Sequence, residues 1–452
     1  MLTRLELTNF KNFKSAALNL GPFNLLIGAN ASGKSNLRDA FRFLHALGRG
    51  YSLPEIFGEK WGDSGELQWG GLRGGRRETV FFEKEIFTIK THSTYFEPYE
   101  ITVKPRRNGD VPIVTEEKIT ITGDMLSSHI WERNEKNITH SFLMEKPEPQ
   151  YEMKINPNGS TSLIMQKINK NDVNDSLFQT NESPPSNSIN FPGYQRHIIE
   201  FFQPLIASLH KYNGFYLKED QLKNYENFIN DLTSMRFFDF LPDSLRKSSM
   251  PGQIVLGDRG EKLSSVIQHI INDPVKKRIL LYWLQALTPM DVSEIEFEYE
   301  SSGKISLVLV EKNGMRVSVH SASDGTLRFL AMLAAFLGPK PPRLCFIEEL
   351  ETGIHPTRQH LLIDFLERIA DEGKTQIIAT THSPQLLSFL SEKNRPYVSL
   401  LYRHENQPDA RIIRLVDLPD ALRVFETDSL GELHASGWFE DMASCMNEDI
   451  IS

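Results

Sequence analysis

Eight consecutive residues, Gly28-Ala29-Asn30-Ala31-Ser32-Gly33-Lys34-Ser35, fit G-x-x-x-x-G-K-[ST], a spacing suited to holding polyphosphate. The glycines accept tight positive-φ turns, so that successive N–H groups converge on one concavity. Asn30, Ala31, Ser32, Gly33, Lys34, Ser35 and Asn36 form the expected binding set. Lys34 adds a point charge at the β- and γ-phosphates, and Ser35 a hydroxyl for Mg²⁺. The apolar run Phe23–Ile27 precedes the loop as a buried strand would. Leu37, Phe41, Leu44 and Leu47 follow at helical spacing, so a helix N-terminus also faces the phosphates. This loop is expected to bind a nucleoside triphosphate.

A second set lies 300 residues on. Leu344-Cys345-Phe346-Ile347-Glu348-Glu349 places four apolar residues before two carboxylates, and α/β sheets bind ligands at the carboxyl ends of their strands. Glu348 is the expected metal ligand and Glu349 the expected general base. Ile377 to Ala379 forms another strand, whose end carries His382 within reach of a γ-phosphate. Ser321-Ala322-Ser323-Asp324-Gly325-Thr326 opens a helix, and Ser323 and Gly325 there make a second anion-binding device. One nucleotide does not need two such devices; a dimer with nucleotides sandwiched between subunits does.

The elements that must position these residues follow from periodicity. Residues 2–27 read as two strands, with a turn at Gly21-Pro22. Residues 50–78 read as a Gly- and Arg-rich loop, and Thr79 to Met165 as short antiparallel strands, beginning at Thr79–Phe82. Residues 168–192 lack hydrophobic periodicity and read as a flexible linker, and Tyr194 to Met235 as helix. Helices ending near Ile271 and spanning Pro274 to Leu287 precede a β-hairpin over Ile295 to Val319 that turns at Lys312-Asn313-Gly314. Helices and strands then alternate to Ile412, which predicts a mostly parallel sheet.

The chain has 452 residues, enough for more than one lobe. Its 40% hydrophobic and 24% charged content is that of a globular protein. No apolar run reaches bilayer length, no secretory signal is expected, and Cys345 and Cys445 cannot build a disulfide framework. A cytoplasmic location with no membrane partner is expected. The balance of 50 Lys and Arg against 59 Asp and Glu gives a net charge of −9, a field that disfavours nucleic acid without excluding a local basic groove.

With these pieces together, the chain resembles ATPases of the ABC-type superfamily, in the branch of SMC, RecF and overcoming-lysogenisation-defect (OLD) proteins, over residues 1–90 and 235–440. It is most similar to stand-alone bacterial AAA-type ATPases of that branch, many of them in anti-phage defence systems. The resemblance implies an α/β fold: an ABC-type ATPase head with a mixed sheet, an inserted β-rich segment and a helical lobe. Its divisions are 1–90 with the Walker A loop, 91–167 β-rich insertion, 168–192 linker, 193–290 helical lobe, 291–440 second half of the head, and 441–452 tail. It implies ATP and Mg²⁺ as cofactors. Glu348 and Glu349 become the Walker B pair, Ala322 to Thr326 the signature motif, Glu351 to Pro356 the D-loop and His382 the switch histidine. Lys11 matches a basic residue that relatives place near the nucleotide. Gln68 is the candidate Q-loop residue on the metal side, with an ordinary surface glutamine as the alternative.

Two departures from the family pattern stand out. Glu348 is one methylene longer than the usual Asp, and Asp324 puts a negative charge where a second subunit's phosphate would lie, which predicts slow or partner-dependent hydrolysis. The resemblance implies a homodimer through an ATP sandwich, or a higher homo-oligomer. It further implies a sensor or scaffold controlling an effector, a nuclease or toxin from a neighbouring gene, in phage defence. The roughly 62 residues after 390 are too few for the nuclease domain that OLD proteins carry, so cutting would come from another chain. The alternative is a RecF-like DNA-repair ATPase. Its candidate contacts are Lys104 with Arg106-Arg107, Arg73 with Arg76-Arg77, Arg246-Lys247 and Lys276-Lys277-Arg278, each interspersed with acids. A transporter subunit fits less well, because residues 79–235 replace the compact helical subdomain expected there.

Overall fold

A six-stranded sheet carries the chemistry-bearing loops. Its order is Arg236–Phe238, Leu344–Ile347, Gln376–Thr380, Phe23–Ile27, Val398–Arg403, Ala410–Arg414. All neighbours pair in parallel except the last two strands, which are antiparallel. These assignments come from a computed structural model that describes residues 1–63, 65–95, 98–105, 111–122, 127–134, 138–144, 150–155, 161–166, 219–404 and 407–445.

The strands are continuous apolar runs because both faces of the sheet are covered. Phe23, Leu25 and Ile27 face one core, while Leu26 faces the other; Cys345 and Ile347 divide likewise from Leu344 and Phe346. The first core is closed by helices Leu263–Ile271, Pro274–Leu287, Asp324–Leu337 and Gln359–Asp371. The second holds helix Lys34–Gly48 between the parallel sheet and a nine-stranded antiparallel sheet. Each fully buried Leu or Phe there stabilises the fold by roughly 1.5–3 kcal/mol. Two buried amides tie the layers together. Asn24 Nδ2 donates to Gly21 O at 2.8 Å and Ile377 O at 2.9 Å, and Gln376 Nε2 to Leu2 O at 2.8 Å.

The α/β class and the largely parallel sheet agree with the sequence, and the antiparallel run to Met165 is a true meander. From Phe87–Ser93 through Tyr99–Lys104, Ile113–Thr122, Ser127–Asn134, Ile138–Met144 and Gln150–Ile155 to Thr161–Gln166, each strand pairs with the next. That meander extends the first hairpin's sheet, and Phe87–Ser93 pairs with Leu2–Phe10 across the 90/91 division. Three expectations need correction. Residues 2–27 hold three strands, because the chain reverses between Phe10 and Phe13 with Lys11 in the left-handed region at φ 51°. Thr79–Phe82 contributes only an isolated bridge from Val80 to Phe10. The segment from Val292 folds into three strands, because Ser301-Ser302-Gly303 makes an additional turn ahead of Lys312-Asn313-Gly314.

Residues 50–78 are not all loop. A Ser52–Glu55 capping box starts helix Leu53–Phe57. Helix Glu219–Thr233 falls within the expected 194–235 helix, and helix Trp438–Cys445 crosses the 440/441 division. The linker 168–192, residues 194–218 and the Arg106-Arg107 pair lie outside the described residues. No helix among the described residues is long and apolar enough to cross a membrane.

Candidate functional site

Parallel pairing delivers the carboxyl ends of Arg236–Phe238, Leu344–Ile347, Gln376–Thr380 and Phe23–Ile27 to one edge of the sheet. The chain leaves them as Asp239, Glu348, Thr381 and Gly28. They border a cleft of about 560 Å³ lined by Asn12, Asn30, Ala31, Gly33, Lys34, Ser35, Asn36, Arg73, Asp239, Arg328, Glu348, Glu349, Thr380, His382 and Arg403.

The loop is built on close backbone approach. Gly28 has φ 141°, and a Cβ there would stand 2.1 Å from Leu401 O on the neighbouring strand, so only glycine fits. Gly33, at φ 117°, caps helix Lys34–Gly48 without a side-chain cap, and the first turn carries no acid. The orphan N–H groups of that turn are therefore free of any built-in acceptor that would compete with an anion. Lys34 Nζ donates to Gly28 O at 2.5 Å and Ala29 O at 2.9 Å. Burial holds the Lys34 ammonium below its ordinary pKa, against the opposing pull of Glu349, Glu351 and Glu348. A polyphosphate would supply the counter-charge that burial withholds.

Opposite the loop, Glu348 and Glu349 take different roles. Glu348 Oε2 pairs with Arg38 Nη1, on helix Lys34–Gly48, at 2.7 Å. Glu349 sits at φ 49°, a left-handed conformation that costs a non-glycine residue on the order of 1 kcal/mol. Its N–H donates to Thr380 Oγ1 at 2.9 Å, and its Oε2 accepts from Thr352 Oγ1 at 3.2 Å. Glu351, which the sequence marks only as part of a loop motif, bridges two segments. Its carboxylate accepts from Thr381 Oγ1 and from the His382 N–H, each at 2.8 Å, and so seats His382 at the cleft.

Mg²⁺ prefers hard oxygen ligands and keeps several waters, taking one or two protein groups plus phosphate oxygens. Ser35 and Glu348 are such a pair, and both line the cleft. Among the described residues no three His, Cys, Asp or Glu side chains are grouped to hold a metal by themselves. The donor set thus fits a cation brought in with its nucleotide.

Nine of the sequence-predicted residues meet in this cleft: Asn30, Ala31, Gly33, Lys34, Ser35, Asn36, Glu348, Glu349 and His382. Ser32 lies buried beneath the loop, its hydroxyl without a hydrogen-bond partner. Lys11 is not in the lining. Its ammonium is 2.7 Å from buried Asp39 and 2.8 Å from Arg73 O, and the left-handed turn at Lys11 aims it there. Gln68 stands exposed on the short strand Leu67–Trp69 with its amide toward Glu66, and the structure does not bring it to the cleft.

Ser323 and Gly325 are also absent from the lining. Ser323 caps helix Asp324–Leu337 by accepting from Thr326 N at 3.2 Å. A Cβ on Gly325 would fall 1.9 Å from Gly353 O, so the turn at Ser323 is packed directly on the turn that holds Gly353. The charge at Asp324, expected to repel a phosphate, is met in place by Arg246, whose Nη2 lies 2.6 Å from Asp324 Oδ1 and donates to Ala322 O at 3.0 Å.

Sequence reasoning missed Asn12, Arg73, Asp239, Arg328, Thr380 and Arg403. Arg73 is held by Asp39, with Nε to Oδ2 at 3.0 Å, and stands at the cleft although its glycine-rich setting reads as a loop or DNA contact. Asp239 follows the short strand Arg236–Phe238 as Glu348 follows Leu344–Ile347, but that strand opens with a charged residue, so no apolar run marks it.

A glycine-rich loop between a central parallel strand and a helix, with acids and a histidine at neighbouring strand ends, defines a P-loop nucleotide-binding α/β domain. A family profile described as "AAA domain, putative AbiEii toxin, Type IV TA system" matches residues 23–388, and the chain belongs to that family. It is therefore an ATPase domain of the AAA type. No curated protein matches its sequence. Similar solved structures include an SMC head bound to the C-winged helix domain of ScpA, at 12% identity and a TM-score of 0.43, covering 93% of this chain and 99% of that one. An SMC head domain from Thermotoga maritima pairs at 12% identity and a TM-score of 0.36, covering 91% and 98%. An SMC head domain with an extended coiled coil, derived from Pyrococcus furiosus and bound to the C-terminal domain of ScpA, pairs at 12% and 0.37, covering 94% and 98%. At such scores the likeness carries no residue role across.

Proposed function

We propose that this chain binds ATP with Mg²⁺ between two copies of itself and hydrolyses it. The ATP-bound dimer then acts as a sensor or scaffold controlling an effector, a nuclease or toxin from a neighbouring gene, in anti-phage defence. The observation that carries the two-copy reading is a division of parts. The phosphate loop, Glu348, Glu349 and His382 share one cleft, whereas the second anion-binding turn at Ser323 and Gly325 does not line it. A second copy can present that turn to the open side of the first.

In this reading Lys34 and the N–H groups of the loop hold the β- and γ-phosphates. Ser35 and Glu348 would hold Mg²⁺, which supplies charge neutralisation on the phosphate oxygens. Glu349, fixed through Thr380 and Thr352, accepts the proton of a water that attacks the γ-phosphorus, and ADP departs. His382 steadies the γ-phosphate from the strand end.

Much of the described basic surface is already engaged, which favours this reading over a DNA clamp. Lys104 pairs with Glu85, Lys277 with Glu294, and Lys276 donates to Leu337 O. Sizing the purified protein with and without Mg²⁺-ATP tests the proposal. A dimer that forms on ATP and persists in Glu349→Gln is expected. A monomer under both conditions would refute the sandwich, and ATP-dependent duplex binding that is lost on Arg76→Glu/Arg77→Glu would transfer support to the DNA reading.

A further inference from the structure

Helix Asp324–Leu337 begins in the turn at Ser323, which does not line the cleft, yet Arg328, one turn further on, does. Its neighbours Leu327 and Phe329 are fully buried, which anchors the helix and leaves Arg328 half-buried at its edge. Two turns interlock beside it. A Cβ on Gly353 would stand 2.9 Å from Gly325 Cα and 3.6 Å from Arg328 Cδ, so the arginine stem lies against the turn that holds Gly353. That turn begins at Glu349, whose carbonyl accepts from Thr352 N at 2.9 Å and whose Oε2 accepts from Thr352 Oγ1. Arg328 therefore enters the cleft along the segment that carries Glu349.

The other cations of the lining are engaged. Lys34 donates to Gly28 O and Ala29 O, Arg73 is held by Asp39, and Arg403 donates to Gln407 O at 3.5 Å. The Arg328 guanidinium makes neither an ion pair nor a hydrogen bond among the described residues. The two carboxylates that share its cleft are committed elsewhere, Glu348 to Arg38 and Glu349 to Thr352. A half-buried guanidinium without an acceptor is costly, and its fork of N–H donors matches phosphate oxygens in pairs.

We propose that Arg328 is a catalytic residue for the cleft of its own chain, donating to the γ-phosphate oxygens as they are transferred. In that step the water oxygen bonds to the γ-phosphorus and Glu349 takes the water's proton. The bond to the β–γ bridging oxygen breaks, and its electron pair leaves with ADP. Arg328 moves no proton; it holds fixed positive charge where negative charge redistributes, which lowers the barrier more than it tightens substrate binding. It also ties two events together. The helix that begins at the turn at Ser323 grips the nucleotide of the same chain through this one side chain.

This role rests on the nucleotide-site reading above, and the test separates the two. Phosphate release and ATP and ADP binding heats are measured on the full-length wild type, Arg328→Ala and Arg328→Lys, beside their thermal midpoints. Arg328→Ala is expected to lower kcat about a hundredfold, with KM for ATP changing less than about threefold and ADP affinity unchanged. Arg328→Lys should fall between, and guanidinium added to Arg328→Ala should restore part of the rate. If the alanine variant is unfolded, the kcat and KM of the lysine variant decide. A rate within about threefold of wild type in a folded Arg328→Ala overturns the proposal. So does a loss of ATP and ADP affinity together with kcat retained, the mark of a structural role. Mixing Arg328→Ala with Glu349→Gln must not recover activity, because each chain then carries a broken cleft; recovery would place the arginine in the cleft of the other copy and overturn the assignment to its own. Wild type that binds neither nucleotide defeats the nucleotide site itself, and wild type that binds ATP without hydrolysing it defeats Arg328 and Glu349 alike.

Discussion

The loop at Gly28 and the turn at Ser323 are both glycine-dependent entries to a helix, yet they are held by different means. The loop at Gly28 is fixed by backbone, wedged against Leu401 O, with its lysine amine bonded to Gly28 O and Ala29 O. The turn at Ser323 is fixed by a cap, by Gly353 beneath it and by one arginine that covers Asp324. At the first, burial disfavours the charge on Lys34, and at the second the charge of Asp324 is covered by Arg246. Perturbations should therefore cost most in the cleft that the loop borders and least at the turn.

The largest effect is expected at the carboxylate opposite the loop. Glu349→Gln should lower ATP turnover about 10³-fold while leaving nucleotide binding intact, as a phosphate-release assay beside a binding titration can establish. A variant that turns over at the wild-type rate removes Glu349 from the role of base. Next comes Lys34→Ala, expected to weaken ATP binding by about 3 kcal/mol, more than a hundredfold, in equilibrium binding with a fluorescent ATP analogue. Unchanged affinity would erase the distinction between the two regions.

Helix Lys34–Gly48, which begins at the loop, has a pH limit of its own. His45 is buried with Nδ1 2.8 Å from Leu232 O, and burial pushes its pKa from 6.5 down to about 4. A depressed value means that the stability it contributes is complete above pH 6.5 and declines as pH falls toward 4. The loss reaches about 2–3 kcal/mol by pH 4.5. Denaturation midpoints at pH 7 and 4.5 should show a larger acid drop in the wild type than in His45→Gln; equal drops would assign the sensitivity elsewhere. The smallest effect belongs to the turn. Arg246→Ala uncovers Asp324 and should weaken ATP-dependent dimerisation about tenfold, read by sedimentation, without altering ATP binding to the single chain.

Legibility in the sequence follows the same division. The loop, its strand and its helix could be read directly, because their chemistry is local: glycines, lysine and helical spacing within twenty residues. Glu348, Glu349 and His382 could be read because each ends a short apolar strand. Asp239 also ends a strand, but one of three residues that opens with Arg236 directly after a segment that reads as helix, so no apolar run announces it. Arg73 and Asn12 reach the cleft only through contacts that no local pattern carries, the former through Asp39, 34 positions away in the chain. Lys11 stands outside the lining for a related reason. Its left-handed turn decides whether the amine faces the nucleotide or Asp39, and a side chain's direction is not written in its type.

The carboxylate of Glu351 has one last consequence. Because it grips Thr381 and His382 while belonging to the turn on which Gly325 rests, it makes two otherwise separate segments a single mechanical part. In the proposed dimer, a push on that turn by a second copy would reach the histidine through Glu351. One side chain thus acts as a bearing between the turn at Gly353 and the strand end that carries His382.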